Sequence, residues 1–390
     1  MARRSVKQVR IRHRDFAMLT ESTRNGDFPS LAGMTYLNTA AEGIPPLAVR
    51  AALNQYFQDK QLGMDSRERH MAQWKRAKAL VAELFGLTAD EVSLCSCASE
   101  AFNWAALALR LRAGDEVVIN DLDFPAGATP WLQADCPATV KVWYARDGAL
   151  RTEDLVPLLN AKTRLVSTSL VSFYNGFMIP LPAVIETVRR HSPALIALDV
   201  TQALGRVPLK LKGVDLIVSS THKWILASHG GGLVGVPSAK AKEWNVPAGG
   251  WFNLQDAFGP RRFDHAQSQP GAAGFTVGMP NFPAVYAIRA ALDYLRDIGV
   301  ENIDRAARPL VLACLKGLSD LPIELLTPPQ EESLAGILAF RHPQAERIHR
   351  ALRQKNIHTM YHAGRLRISL HAYNTMQDVE TFLQELQTLL

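Results

Sequence analysis

Asp215-Leu216-Ile217-Val218-Ser219-Ser220-Thr221-His222-Lys223-Trp224, leading through His229-Gly230-Gly231-Gly232 into Leu233-Val234-Gly235-Val236, is the most informative stretch of the 390-residue chain. Apolar runs bounded by polar and glycine residues read as two buried strands. A lysine so soon after a hydrophobic strand lies where ligands of an α/β sheet collect, beyond the strand's carboxyl end. If its amine is partly desolvated there, the charged form is disfavoured and the amine becomes a usable nucleophile. Three consecutive glycines let the backbone pass close to such a site. The competing reading is a surface lysine with a flexible turn.

Further short apolar runs occur at 92–94, 116–119, 139–143, 165–170 and 195–198, with helical stretches at 100–112 and 183–190 between several of them. This alternation predicts an α/β fold whose large, mostly parallel sheet is covered on both faces. Helical patterns at 46–60 and 74–85 precede it, and an amphipathic helix at 280–296 follows. Beyond that helix the rhythm changes. A helix at 309–315, strands at 337–340 and 365–370, and helices at 344–355 and 378–389 predict a smaller α+β C-terminal domain. The expected division is an N-terminal extension at 1–30, a large domain at 31–285 and a small domain at 286–390.

The composition, 47% hydrophobic and 21% charged, is that of an ordinary globular chain. The net charge of +6 is carried by the basic start, Arg3, Arg4, Lys7, Arg10, Arg12 and Arg14, and the body is balanced. That excludes a broad nucleic-acid-binding surface. No apolar run is long enough for a membrane span, and no signal-peptide core follows the charged start, so a cytoplasmic protein is expected. Cys95, Cys97, Cys136 and Cys314 lack zinc-ligand spacing, which leaves no expectation of a metal.

Asp199 ends the run at 195–198, and Gln202 follows three residues later. Such an acid could be an exposed helix cap or could hold a cation in the crevice. A pyridoxal cofactor requires an acidic partner for its ring nitrogen and a lysine for its aldehyde, which accounts for Asp199 and Lys223 together. A phosphate could rest on Ala98, Ser99 and the start of the following helix, with the Ser220 hydroxyl beside it; a plain helix cap is the alternative. Phe124-Pro125, after another strand, offers a face to stack on a flat ring or a hydrophobic cap. Arg367, in Arg367-Ile368-Ser369-Leu370, is an arginine on a buried-looking strand. It needs an anionic partner, either a substrate carboxylate or an internal acid.

In combination, Asp199, Gln202, Ser220, His222 and Lys223, with Gly364-Arg365-Leu366-Arg367-Ile368-Ser369 and Tyr373-Asn374-Thr375, resemble the class V aminotransferases. These pyridoxal-phosphate enzymes of fold type I include cysteine desulfurases, kynureninases and isopenicillin N epimerase-like proteins. The resemblance runs from Tyr36-Leu37-Asn38 to Asp378. It implies pyridoxal 5'-phosphate as cofactor, a Schiff base on Lys223, Asp199 at the ring nitrogen and Gln202 at the phenolic oxygen. It further implies Ala98, Ser99, Phe124, Ser220 and His222 around the cofactor, His222 and Asp199 acting with Lys223. Arg367 would hold the α-carboxylate of an amino-acid substrate, with Asn38 and Tyr361 nearby. A homodimer with active sites near the interface is implied too.

Three departures bear on the reaction. Desulfurases of the family place a cysteine on a loop before the small-domain arginine, whereas 356–364 contains none, so persulfide formation on the enzyme is not expected. Ser172 is followed by Phe173, with Asn175-Gly176 beyond, where many relatives place a cofactor asparagine. Met279 stands in Gly278-Met279-Pro280-Asn281 where relatives have a threonine, with Thr276 a candidate substitute. The leading expectation is an aminotransferase-type reaction begun by Cα deprotonation at Lys223. A β-eliminating carbon–sulfur lyase or an epimerase, with Tyr361 or His362 as second acid, is the alternative. A non-catalytic pyridoxal-phosphate-binding protein is the reading from another class.

Overall fold

The structure, a computed structural model, describes residues 21–390. The basic segment from Arg3 to Arg14 and most of the expected extension lie outside the described residues. Every apolar run of the large domain forms a strand: β1 (Val92–Cys95), β2 (Glu116–Asn120), β3 (Thr139–Trp143), β4 (Thr163–Ser169), β5 (Leu195–Asp199), β6 (Leu216–Ser220) and β7 (Gly232–Gly235). They make one seven-stranded sheet in the order β1-β7-β6-β5-β4-β2-β3. All neighbours are parallel except those of β7, which runs antiparallel to both β1 and β6.

Successive residues of a strand point to opposite faces, so a sheet covered on both sides needs apolar residues at every position. The packing follows that rule. Val117, Ile119, Leu165, Ala197 and Val218 join a core beneath the helix Ala98–Leu109. Their neighbours Val118, Val166, Ile196, Leu198 and Ile217 join a second core under the helices Leu181–His191 and Phe282–Ile298.

The C-terminal part folds around a four-stranded antiparallel sheet: β8 (Glu324–Leu325), β9 (Ile337–Arg341), β10 (Met360–His362) and β11 (Arg365–Ser369), in the order β10-β11-β9-β8. One face packs Leu338, Leu366 and Ile368 against helices Val300–Ser319, Ala345–Gln354 and Met376–Leu389. The architecture is therefore that of fold type I, a large sheet domain and a smaller α+β domain. The helix expected to begin at Pro309 in fact begins at Val300 and carries Pro309 inside it. A mid-helix proline forgoes one backbone hydrogen bond. Here burial of Ile303, Ala307, Leu310 and Val311 on one stripe outweighs that loss.

Two features fix the small sheet over the large one. Thr35–Tyr36 pairs in parallel with Ile357–His358, and Asn38 bridges Ser369, so the N-terminal strand is stitched into the C-terminal part. Arg206, fully buried, bonds Asp304 at 2.8 Å and the carbonyls of Leu370 and Ala335.

Candidate active site

The parallel strands end on one side of the sheet, and a cavity of about 170 Å³ opens there, walled by residues at and beyond the ends of β1, β2, β4, β5 and β6. At its base Asp199, the last residue of β5, is 6% exposed, and its Oδ1 accepts the Thr201 N–H at 2.7 Å. Burial raises its pKa, while the Thr201 bonds and the Lys223 charge oppose that shift. Such a carboxyl ionises most readily when a cation stands beside it.

Lys223 reaches the same cavity from the loop after β6, its Nζ 5.1 Å from the centre of the Phe124 ring. Burial pushes its pKa down to about 8; Asp199 pulls the other way and Arg367 adds to the depression. Beside it His222 is held to about 4, first by burial and then by the Lys223 and His229 charges, so it is neutral near pH 7. Its ring stacks on that of His229 at 4.2 Å, and His229 bonds the Glu42 carboxylate at 3.0 Å.

Gln202 lines the cavity with its amide already fixed: Oε1 accepts from Trp224 Nε1 at 2.6 Å and Nε2 donates to the Ala40 carbonyl at 3.1 Å. Ser220 is positioned by its N–H, which donates to Thr201 Oγ1. Across the cavity Ala98 and Ser99 open the helix Ala98–Leu109, whose cap is Cys97 Sγ accepting the Glu100 N–H. The first amides of a helix have no partner within it and attract an anion. The backbone comes close here: a Cβ on Gly232 would lie 2.5 Å from the Cys97 carbonyl carbon. The glycine of β7 thus answers to the neighbouring turn. Of the two stacking candidates, Phe124 lines the cavity and Pro125 begins the next short helix.

Arg367 sits on β11, 3% exposed, with Nη1 donating to the Phe173 carbonyl at 2.8 Å and Nε without a protein partner. Burial, then Arg365, draws its pKa down to about 9. Asn38 lies beside Ser369, two residues along, and its Oδ1 is also buried and unpartnered. Tyr361 is placed elsewhere. It pairs with Leu366, not Arg367, and packs into the small-domain core against His349, so it does not join the other candidates. The reason is register: residues directly opposite in a sheet share a face, and Leu366 faces the core.

Two further candidates are tied up in the fold. Thr276 Oγ1 donates to the Leu94 carbonyl at 2.6 Å and bonds Ser93, which leaves it no reach outward. Asn175 Nδ2 bonds the carbonyls of Gly148 and Leu326, and a Cβ on Gly176 (φ +82) would meet the Ile337 carbonyl at 2.2 Å. Asn175-Gly176 therefore pins the large domain to the small one.

Asp123, which the sequence reading overlooked, lies beside Asp199. Its Oδ1 accepts the Ser169 N–H at 2.8 Å, its Oδ2 is buried without a partner, and burial lifts its pKa to about 7. Its place just past the end of β2 was the available signal. Arg365, two residues before Arg367 on β11, is 1% exposed and stacks over Tyr174 at 4.1 Å.

An acid at the base, a lysine of lowered pKa and an aromatic wall surround one cavity, with a helix start opposite and unpartnered amide and guanidinium atoms nearby. This donor set fits pyridoxal phosphate, and fold and site together define an enzyme of that class. The family described as Aminotransferase class-V matches residues 35–382, and the chain belongs to it, a pyridoxal-phosphate-dependent enzyme.

Among curated relatives it is 26% identical to the uncharacterized aminotransferase YcbU of Bacillus subtilis, over 92% of this chain and 95% of that protein. It is 22% identical to a probable cysteine desulfurase of Pyrococcus abyssi, over 93% and 96%. Among solved structures, apo cysteine desulfurase from Thermococcus onnurineus superposes with a TM-score of 0.86 at 21% identity, covering 96% of this chain and 98% of that one. The cystine C–S lyase C-DES, in complex with cysteine persulfide, gives 0.84 at 22%, covering 92% and 98%. At these identities the two structures attest the fold. Among the described residues no helix is long and apolar enough to cross a membrane.

Proposed function

We propose that this enzyme cleaves a carbon–sulfur bond by β-elimination from a small α-amino acid, with Lys223 removing the Cα proton. The observation that carries the reading is the Lys223 amine, buried in the cavity that holds Asp199, with its pKa drawn down to about 8. The many desulfurases among the relatives favour elimination over the transamination that leads the sequence expectation. Arrangement around Arg367 supports release of sulfur to solvent rather than capture by the enzyme. The segment that would carry a desulfurase cysteine is here a tight turn, Ala363-Gly364, with positive φ at both residues, closing β10 onto β11. Cys97 does line the cavity, but its thiol caps a helix at the phosphate end.

When bound, pyridoxal phosphate supplies an aldehyde that condenses with amines and a ring that draws electrons from Cα. Around it, the helix start at Ala98 and Ser99, with Ser220, would hold the phosphate, and Phe124 would cover the ring face. Asp199 would face the ring nitrogen, Gln202 the phenolic oxygen and His222 the side nearest Lys223. Arg367 and Asn38 would orient the substrate α-carboxylate. Lys223 then serves as base at Cα, since a neutral amine is available near pH 7. The active form we take to be a homodimer, as is usual for the family.

The test is a panel of cysteine, cystine, S-alkylcysteines and alanine with purified enzyme in deuterated water. Pyruvate, ammonia and a sulfur product in equal amounts are expected. A substrate-derived keto acid with an amino acceptor, or deuterated enantiomer alone, would replace elimination with transamination or epimerisation. Lys223→Ala should abolish Cα exchange, and Cys97→Ala should leave sulfur release in place; loss of sulfur release in the latter would restore an enzyme-bound persulfide.

A further inference from the structure

Arg365 and Arg367 alternate along β11, so their side chains leave the same face, roughly 7 Å apart at the backbone. Both are almost fully buried, and each keeps a nitrogen without a protein partner, Arg365 Nη2 and Arg367 Nε. Their bonds go to uncharged groups: Arg365 to the carbonyls of Tyr174 and His362 and to the His362 ring, Arg367 to the Phe173 carbonyl. Other arginines show the contrast. Arg206 has Asp304 and Arg341 has Glu324, whereas among the described residues no carboxylate forms an ion pair with Arg365 or Arg367. Two neighbouring buried cations without a counter-charge are costly. The aromatic faces of Tyr174 and Phe173, 4.1 and 5.5 Å from the Arg365 guanidinium, soften that cost without cancelling the charge. Phe173 itself lines the cofactor cavity.

One α-carboxylate neutralises one arginine. We infer that the substrate carries a second carboxylate on its side chain or leaving group, and that Arg365 is the residue that receives it. This rests on the proposed Cα chemistry only in naming an amino acid; the anion site stands on the two arginines. The preferred substrates are then dicarboxylic, such as a cysteine S-conjugate whose departing thiol bears an acid. Arg365 determines specificity through the distal group and takes no part in proton transfer.

Two measurements on the cofactor-loaded enzyme test this. In calorimetric titration, succinate should bind at least about tenfold more tightly than butyrate, and Arg365→Gln should erase the difference. In kinetics, the preference for S-carboxymethylcysteine over S-methylcysteine, as a ratio of kcat/KM, should fall about 10- to 100-fold in Arg365→Gln, mostly through KM, with partial recovery in Arg365→Lys. Equal binding of succinate and butyrate by the wild type would overturn the inference. So would a variant that loses both substrates alike, which would make Arg365 a clamp on the Tyr174 turn. If no amino acid exchanges its Cα hydrogen, the β-elimination reading fails, while the succinate titration still reports on Arg365.

Discussion

The protonation of Lys223 can be read directly in the cofactor-free enzyme. With a pKa near 8, about a tenth of the amine is neutral at pH 7; at the ordinary value of 10.5 only about 0.03% would be. The structure therefore predicts about 300-fold more nucleophile at this lysine than at a solvated one. Burial is the main cause, so removing neighbours should shift the value without restoring it. Arg367→Gln removes a cation that depresses it, so the midpoint should rise; Asp199→Asn removes an acid that supports the charged form, so it should fall. Reductive methylation between about pH 6 and 11, quantified by mass spectrometry of the peptide holding Lys223, measures all three midpoints. Linkage gives a second reading. Because the folded pKa lies below the unfolded one, the native state binds fewer protons between the two, and stability of the cofactor-free fold should rise with pH across that window. A wild-type midpoint above about 10 would mean that the amine is as solvated as a surface lysine and is not primed by burial.

Other perturbations probe the frame around that amine. Asp199→Asn should retain pyridoxal phosphate by absorbance but lower kcat about 100-fold or more, because the acid we propose at the ring nitrogen loses its charge. Gly43→Ala would place a Cβ 1.9 Å from the Lys223 carbonyl oxygen, a clash of backbone with no flexible group to yield. A loss of about 1–3 kcal/mol in urea denaturation is expected, with slower labelling of Lys223. Asp304→Ala leaves Arg206 buried without its acid and should cost about 3–5 kcal/mol, again read from the denaturation midpoint.

Sheet strands and the Lys223–Asp199 pair are legible in the chain because both signals are local. A continuous apolar run declares burial on two faces, and a polar residue at its end falls where the parallel strands open. Strand order is not local. Nothing near Gly232 announces that β7 inserts antiparallel between β1 and β6; only the contact of its glycine with the Cys97 turn shows why the sequence is small there. The same limit hides the internal proline of the helix Val300–Ser319, since Pro309 resembles a helix start until its neighbours' burial is known.

Tyr361 and Arg365 carry the same lesson at the site. Either could face the substrate on composition alone, and an aromatic hydroxyl is the more tempting choice. The hairpin turn at Ala363-Gly364 decides between them, because it sets Tyr361 opposite Leu366 and His362 opposite Arg365. Slipping that pairing by one residue would set Tyr361 opposite Arg365 or Arg367, and so on the face of the two arginines, which are themselves held in place by the pairing of β11 with β9. The observed register therefore leaves Tyr361 with Leu366 on the core side and both arginines on the other.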